Sequence, residues 1–362
     1  SGGVATKAAK ILGCHQSNIG RWRQRLALKG YSPAHDMTHT VPDGYTVKGV
    51  STLYSADGQV AAQWVKSTQD AERMREIIEA AMAAMVADLP KLPKSKPQGE
   101  YNAQLMACYP LGDPHIGMRA WAEECGQDWD LAIAERVHCG VMNDLVSRAP
   151  ATEWATIINL GDLFHYDSMA AVTPKHGHLL DADGRYAKMI DVGIKVMRQC
   201  ITSALAKHKF VRVINAIGNH DQTGAIWLAR ALAHVYENEK RVHVEKTCSP
   251  FNYFEFGKVL VGVHHGDTCK MPALPGVMAA DQSEAWGRCK HRYWWTGHIH
   301  HESVKEFPGV LVESFSTLAV RDAYATAGGW RSREQAKCIV LHRELGEVSR
   351  LTSHPAMLAL AA

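Results

Sequence analysis

From Ala5 to Leu28 small and apolar residues recur at helical spacing (Ala8, Ala9, Leu12), break at Gly13-Cys14, and resume through Ile19, Trp22 and Leu26. That pattern predicts helix, tight turn, helix. Residues 45–65 read as two strands around Ala56-Asp57-Gly58, a hairpin turn signal. A single amphipathic helix is predicted over Asp70–Leu89, with Met74, Ile77, Ile78, Ala81, Met82 and Met85 on the side that packs. The stretch DLPKLPKSKPQGE then interrupts regular structure with its prolines and lysines. Beyond Tyr101 short apolar runs alternate with helical stretches. Strands are expected at Gln104–Leu111, Thr156–Leu160, Val211–Ile217, Val259–His264, Arg292–Thr296, Val310–Phe315 and Cys338–Leu341, and helices at Asp130–Arg148, Arg185–Lys207 and Gly224–Glu239. The alternation predicts an α/β or mixed sandwich domain. The expected organisation is therefore an N-terminal region over 4–89, a linker over 90–100, the main domain over 101–350 and a tail over 351–362.

Composition narrows the class. Hydrophobic residues at 46% and charged residues at 21% exclude a disordered, collagenous or coiled-coil chain. No window approaches the ~18 consecutive apolar residues of a bilayer span, and the start lacks the apolar core of a signal peptide, so a soluble cytoplasmic protein without membrane contact is expected. Ser1-Gly2-Gly3, without a Met, reads as a cropped or tagged beginning. The nine cysteines are scattered and odd in number, with no C-x-x-C pair, which points to neither a disulfide framework nor a zinc-thiolate knuckle.

The net charge is only +3, but residues 1–30 carry Lys7, Lys10, Arg21, Arg23, Arg25 and Lys29 with no acid, leaving the remaining chain net negative. A basic first segment on a mildly acidic body predicts a polyanion contact made by the N-terminus. The helix pair resembles a helix-turn-helix DNA-binding segment. The resemblance implies that Gln16, Ser17, Asn18, Arg21, Arg23 and Arg25 on the second helix meet the nucleic acid, with DNA as partner.

Candidate chemistry is concentrated in the main domain. The strand candidates are followed in order by Gly112-Asp113-Pro114-His115, Gly161-Asp162-Leu163-Phe164-His165, Gly218-Asn219-His220-Asp221, His264-His265-Gly266-Asp267 and Gly297-His298-Ile299-His300. Side chains at strand ends converge on one edge of a sheet, and glycines let the backbone turn beneath them. Asp, Asn and His in such number suit two divalent cations ~3.5–4 Å apart, which clamp a phosphoryl group and generate hydroxide near neutral pH. A bridging carboxylate would offset their repulsion, with imidazole and amide ligands filling the remaining positions.

In this order the motifs resemble the calcineurin-like metallophosphoesterase superfamily over residues 104–343. The resemblance implies an αββα sandwich carrying the small N-terminal helix-turn-helix and β-hairpin region. It implies that Asp113, His115, Asp162 and His300 hold one metal, while Asp162 shares a second with Asn219, His298 and either His265 or His264, the residue before glycine being preferred. His220 would protonate the leaving oxygen or stabilise charge on the phosphorane, with Asp221 orienting it. Metal-bound hydroxide would be the nucleophile. Mn²⁺ is the expected metal, Fe, Zn²⁺ and Ni²⁺ being accepted by the same ligand types.

The superfamily spans several phosphate esters, so the flanks must select among them. The second motif continues as GDLFHYD and lacks the Asp-Arg-Gly of protein Ser/Thr phosphatases. It is similar to the SbcD-like DNA-repair nuclease branch, which implies that His165 helps handle the scissile phosphate and that a homodimer forms. The following stretch brings Lys175, His176, His178 and Arg185 toward the expected metal edge, and Trp294-Trp295 offers either a core wedge or a base-stacking platform. The leading expectation is a dinuclear-metal phosphodiesterase acting on DNA, of a kind that fits a bacteriophage or mobile element. The alternatives are a phosphomonoesterase acting on nucleic-acid ends or nucleotides, and a DNA-binding regulatory or packaging protein with a scaffold core.

Overall fold

Gly13, at φ 62°, ends the first helix of the chain by taking the left-handed conformation. The structure, a computed structural model, describes residues 2–28, 45–55, 60–69, 76 and 100–360. The chain divides into two compact units, residues 1–80 and 81–362.

In the first unit α1 (Gly2–Ile11) and α2 (Gln16–Leu28) are joined by that turn. Ala9 and Ile19 are buried, whereas Leu12, Trp22 and Leu26 of the expected apolar stripe are exposed. β1 (Tyr45–Tyr54) pairs antiparallel with β2 (Val60–Gln69), Tyr45 opposite Gln69. The turn triplet Ala56-Asp57-Gly58 lies outside the described residues. So do the expected helix over 70–89, apart from the helical Glu76, and the linker, apart from Glu100.

The second unit begins with β3 (Asn102–Leu111), α3 (Ala122–Cys125), α4 (Leu131–Arg148), β4 (Thr152–Asn159), α5 (Tyr186–Lys207), β5 (Phe210–Asn215), α6 (Gln222–Val235) and β6 (Val242–Val244). It continues with β7 (Asn252–Phe256), β8 (Val259–Val263), α7 (Leu274–Asp281), α8 (Ser283–Arg288), β9 (His291–Thr296), β10 (Ser303–Phe307) and β11 (Val310–Ser314). It ends with α9 (Ala323–Ala327), β12 (Ala336–His342), β13 (Gly346–Ser353) and α10 (Pro355–Leu360).

One six-stranded sheet has the order β13-β12-β3-β4-β5-β6 and a five-stranded sheet the order β10-β11-β9-β8-β7. β3, β4 and β5 are mutually parallel, as are β8, β9 and β11, so their C-terminal ends share edges where loops can converge. α4 and α5 are the crossovers that parallel pairing requires, and Asp130 starts α4 by accepting from the Ile133 N–H at 2.7 Å. The two sheets pack face to face over Met106, Cys108, Ile158, Leu160, Ile214, Val261, Val263, Trp295 and Phe315. α7 and α8 bury Leu274, Met278 and Ala285 against the outer face of the smaller sheet.

Successive residues of β9 point to opposite faces, so Trp295 enters the inter-sheet core and Trp294 the outer cluster, each at most 1% exposed. Neither is available for stacking on a base. β13 continues to Ser353 and α10 follows, so ordered structure extends past the boundary expected at 350. The unexpected β7 and β10 are five-residue strands at sheet edges, and β10 (SVKEF) alternates too weakly to stand out.

His208, fully buried after α5, has its Nε2 2.8 Å from the Tyr109 hydroxyl and its Nδ1 2.7 Å from Thr152 Oγ1, and burial lowers its pKa to about 3. A depressed imidazole is neutral in the native state and gains its proton on unfolding. Its contribution is therefore complete above the unfolded pKa of ~6.5 and is lost as pH falls toward about 3. Removing one such proton uptake should lower the pH slope of unfolding free energy by up to about 1.4 kcal/mol per pH unit. His208→Gln is thus expected to show a shallower loss of stability than the parent chain in urea titrations between about pH 6 and pH 4. An unchanged slope would show that His208 does not drive the acid sensitivity.

Candidate metal centre

All five motifs lie just beyond the C-terminal ends of parallel strands: Asp113 and His115 after β3, Asp162 and His165 after β4, Asn219 and His220 after β5, His265 after β8, and His298 and His300 after β9. Among the described residues the non-glycine positions with positive φ are Asp113 (44°), His115 (42°), Asp162 (53°), His298 (70°) and His300 (56°). Left-handed backbone is uncommon outside glycine, and each instance costs of order 1 kcal/mol or more. The strain is thus confined to residues that aim their side chains into one cage.

Glycines provide the room. A Cβ on Gly218 would collide with the Asp162 carboxylate and amide, and one on Gly297 would lie 2.6 Å from Asp113 Oδ2. The motifs are in this way packed against one another's backbones, which explains the glycine beside each of them.

Three sets of ligand-type atoms converge, each within 4.8 Å: Asp113, His115 and His300; Asp162, His265 and His298; and His115, His165 and His220. In the first set the Nε2 atoms of His115 and His300 face each other at 3.0 Å, with Asp113 Oδ1 3.6 Å from His300 Nε2. In the second, His265 donates from Nδ1 to the Leu160 carbonyl at 2.9 Å, which turns its Nε2 toward Asp162 Oδ2 at 3.1 Å and Asn219 Oδ1 at 3.0 Å. Nitrogen lone pairs and carboxylate or amide oxygens crowded in this way are held together by a shared proton or a cation.

The electrostatics carry the same strain. Burial, reinforced by Asp162, pushes Asp113 up to about 7 against the opposing pull of His265. Burial also disfavours charge on Asp162, but His265 and the neighbouring imidazoles hold its carboxyl well below the usual range. Burial works against protonation of His265, yet Asp162 and then Asp113 raise it to about 10. Burial lowers His300 to about 4 and His165 to about 3, and takes His115 well below its ordinary value. A divalent ion would replace the shared proton and neutralise both carboxylates, so the donor set fits metal.

His264 does not join the cage. Its Nδ1 accepts from the Gly266 N–H at 2.9 Å, its Nε2 meets Thr268 Oγ1 at 3.2 Å, and its ring stacks on Phe251. Asp221 accepts through its carboxylate from the backbone N–H groups of Asp162, Phe164 and Gly218, each at 3.2 Å, so it ties the Asp162 and His220 loops together. His220 donates from Nδ1 to the His165 carbonyl at 2.8 Å, and its backbone N–H donates to Asp162 Oδ1 at 2.8 Å. His165 is buried, with Nδ1 3.1 Å from His115 Nδ1 and Nε2 unpartnered.

Two supports were not foreseen. Asp167 accepts from Thr223 N–H at 2.5 Å and Gly224 N–H at 2.8 Å, fixing the first turn of α6 behind His220. Thr317 donates its hydroxyl to the Asp113 carbonyl at 2.7 Å. The position of Asp167 inside GDLFHYD was visible in the sequence, but nothing in a lone threonine marks Thr317. Lys175, His176 and His178 are exposed on a turn closed by the Val172–Leu179 bridge.

In the first unit, Gln16, Ser17, Arg21 and Arg23 are exposed and Asn18 is half-buried on α2, the helix that also carries Arg25. Among the described residues no helix is long and apolar enough to cross a membrane.

No family profile matches the chain, and no curated protein does. Some solved structures are distantly similar to it. A predicted phosphoesterase from Streptococcus pneumoniae is 10% identical, with 69% of this chain and 98% of that chain covered and a TM-score of 0.28. Vps29 of Entamoeba histolytica, complexed with zinc, is 13% identical, with 69% and 99% covered and a TM-score of 0.27. A cold-active protein tyrosine phosphatase variant is 10% identical, with 80% and 92% covered and a TM-score of 0.28. Likeness at this level leaves the chemistry to be argued from the chain's own side chains.

Proposed function

We propose that the second unit is a metal-dependent phosphoesterase hydrolysing DNA phosphodiesters, to which the N-terminal helix pair adds polyanion contacts through Gln16, Ser17, Asn18, Arg21, Arg23 and Arg25. The observation that carries this reading is the convergence of Asp113, His115, Asp162, His298 and His300, each in a strained left-handed backbone, on a cage that includes His265 and Asn219. Strain concentrated on chemically matched side chains is a mark of function. A pair of divalent cations held there, Mn²⁺ being our choice with Fe, Zn²⁺ or Ni²⁺ as substitutes, would supply Lewis-acid activation of the phosphoryl group and of water.

The chain's own residues do the rest. Asp162 faces His265 with one carboxylate oxygen and accepts from the His220 amide with the other, and as the bridging ligand it would share its charge between both cations. Asp221 and Asp167 hold the His220 loop rigid through backbone amides. With its Nδ1–H donated to the His165 carbonyl, His220 in its imidazolium form would carry the Nε2–H that passes to the departing sugar oxygen, leaving the neutral ring. The buried His165 fixes the His115 ring and the His220 tautomer.

The test is a hydrolysis panel of duplex, single-stranded and hairpin DNA, RNA and p-nitrophenyl phosphate mono- and diesters, with Mn²⁺ and with EDTA. The expected result is cleavage of DNA and of the diester, abolished by EDTA. Turnover of the monoester with DNA left intact would move the assignment to a phosphomonoesterase. A chain beginning at Tyr101 is expected to keep diester hydrolysis and lose affinity for DNA.

A further inference from the structure

After Thr317 anchors Asp113, the chain runs outward into a surface segment built around α9. Tyr324 and Trp330 are 73% and 58% exposed there, and their rings meet edge to face with centroids 5.2 Å apart. Large aromatic rings are seldom left in water on a helix of five residues, and this pair is held rather than loose. Asp322 caps α9 by accepting from the Ala325 N–H at 2.8 Å, and the Trp330 N–H donates to the Ala325 carbonyl at 3.0 Å. Gly328 packs under the indole, where a Cβ would lie only 3.2 Å from the ring. Arg331 donates to the Trp330 carbonyl at 2.9 Å, and Arg333 follows it, exposed.

A rigid pair of exposed rings flanked by guanidinium groups matches what unpaired nucleotides need: a π-face for the base and positive charge for the phosphates. The one carboxylate within α9 and its cap, Asp322, is occupied by the cap. α9 packs against α3, whose exposed Glu123 and Glu124 follow Trp121 and border the platform on that side, so positive charge is offered only on the side of Arg331 and Arg333.

We propose that Tyr324 and Trp330, with Arg331 and Arg333, form a stacking platform for unpaired bases of a single-stranded nucleic acid. The proposal rests on the nuclease reading and narrows it: the substrate has a single-stranded or frayed segment. Thr317 sits six residues before Ala323, the first residue of α9, so the platform and Asp113 share a short stretch of chain.

The experiment measures binding of fluorescein-labelled phosphorothioate oligo(dT), which resists hydrolysis, by anisotropy with the full chain in Mn²⁺. Tyr324→Ala with Trp330→Ala is expected to weaken binding about tenfold or more, while Trp330→Phe retains most of it. Arg333→Ala should flatten the dependence of affinity on salt. Hydrolysis of bis(p-nitrophenyl) phosphate should stay at the parent rate in every variant, since none of these residues touches the cage.

Unchanged oligo(dT) affinity in the double variant overturns the proposal. So does loss of self-association in sedimentation with oligo(dT) binding intact, which would make the surface an interface between copies of this chain. If the parent chain cuts no DNA yet binds oligo(dT) through Trp330, the nuclease reading fails and the platform stands.

Discussion

Asp162→Asn is expected to lower diester hydrolysis by about three orders of magnitude or more, the equivalent of the several kcal/mol that metal stabilisation supplies. The carboxylate is fully buried: Oδ1 accepts from the His220 N–H and Oδ2 lies 3.1 Å from His265 Nε2. An amide of the same shape can still accept from His220, so the loop should survive. It cannot supply the negative charge that lets two cations sit close together. Metal analysis of the purified variant should therefore show a lower metal content than the parent, while far-ultraviolet circular dichroism is unchanged. Full metal content with near-parental activity would remove Asp162 from the centre of the argument.

The same substitution has a consequence in the metal-free protein. Asp162 is one of the charges that raise Asp113 to about 7 and Asp221 to about 8, after burial itself. For these two acids the native state binds protons that the unfolded chain has already released, so they cost stability as pH rises from about 4 toward 8. Neutralising Asp162 relieves part of that cost, and the metal-stripped variant should tolerate alkaline pH better than the metal-stripped parent.

Much of this was legible in the sequence because the chemistry repeats at strand ends. Four of the five motifs begin with a glycine that ends an apolar run and is followed by Asp, Asn or His, the fifth places its histidines before the glycine, and parallel pairing turns that one-dimensional rhythm into a common edge. The ambiguous pair His264-His265 was not legible. Adjacent residues leave the backbone in different directions, and the choice between them is made by contacts from elsewhere, namely Phe251 stacking on His264 and the Leu160 carbonyl accepting from His265. How Asp221 is held was not legible either: the amides of Asp162, Phe164 and Gly218 from which it accepts come from two separate loops whose approach the sequence does not encode locally. Trp22 and Leu26 fit a helical stripe, yet among the described residues of α2 only Ile19 is buried, because spacing predicts a face and not what covers it.

His220→Ala is the variant that separates a proton donor from a ligand. The backbone N–H that contacts Asp162 is retained, and Asp221 and Asp167 still hold the loop, so only the ring is lost. That ring stacks on His165 with centroids 5.6 Å apart and meets the His115 edge at 4.9 Å, which places it against the cage. If Nε2 protonates the leaving oxygen, kcat should fall about 10²–10⁴-fold with metal content preserved. The loss should depend on the leaving group: large for an alkyl or nucleoside diester, small for a p-nitrophenyl diester, whose phenolate departs without a proton. The ratio of the two losses is therefore the decisive readout. An equal loss for both substrates, accompanied by a drop in bound metal, would make His220 a ligand of the third convergent set with His115 and His165, and the proton would have to come from another group.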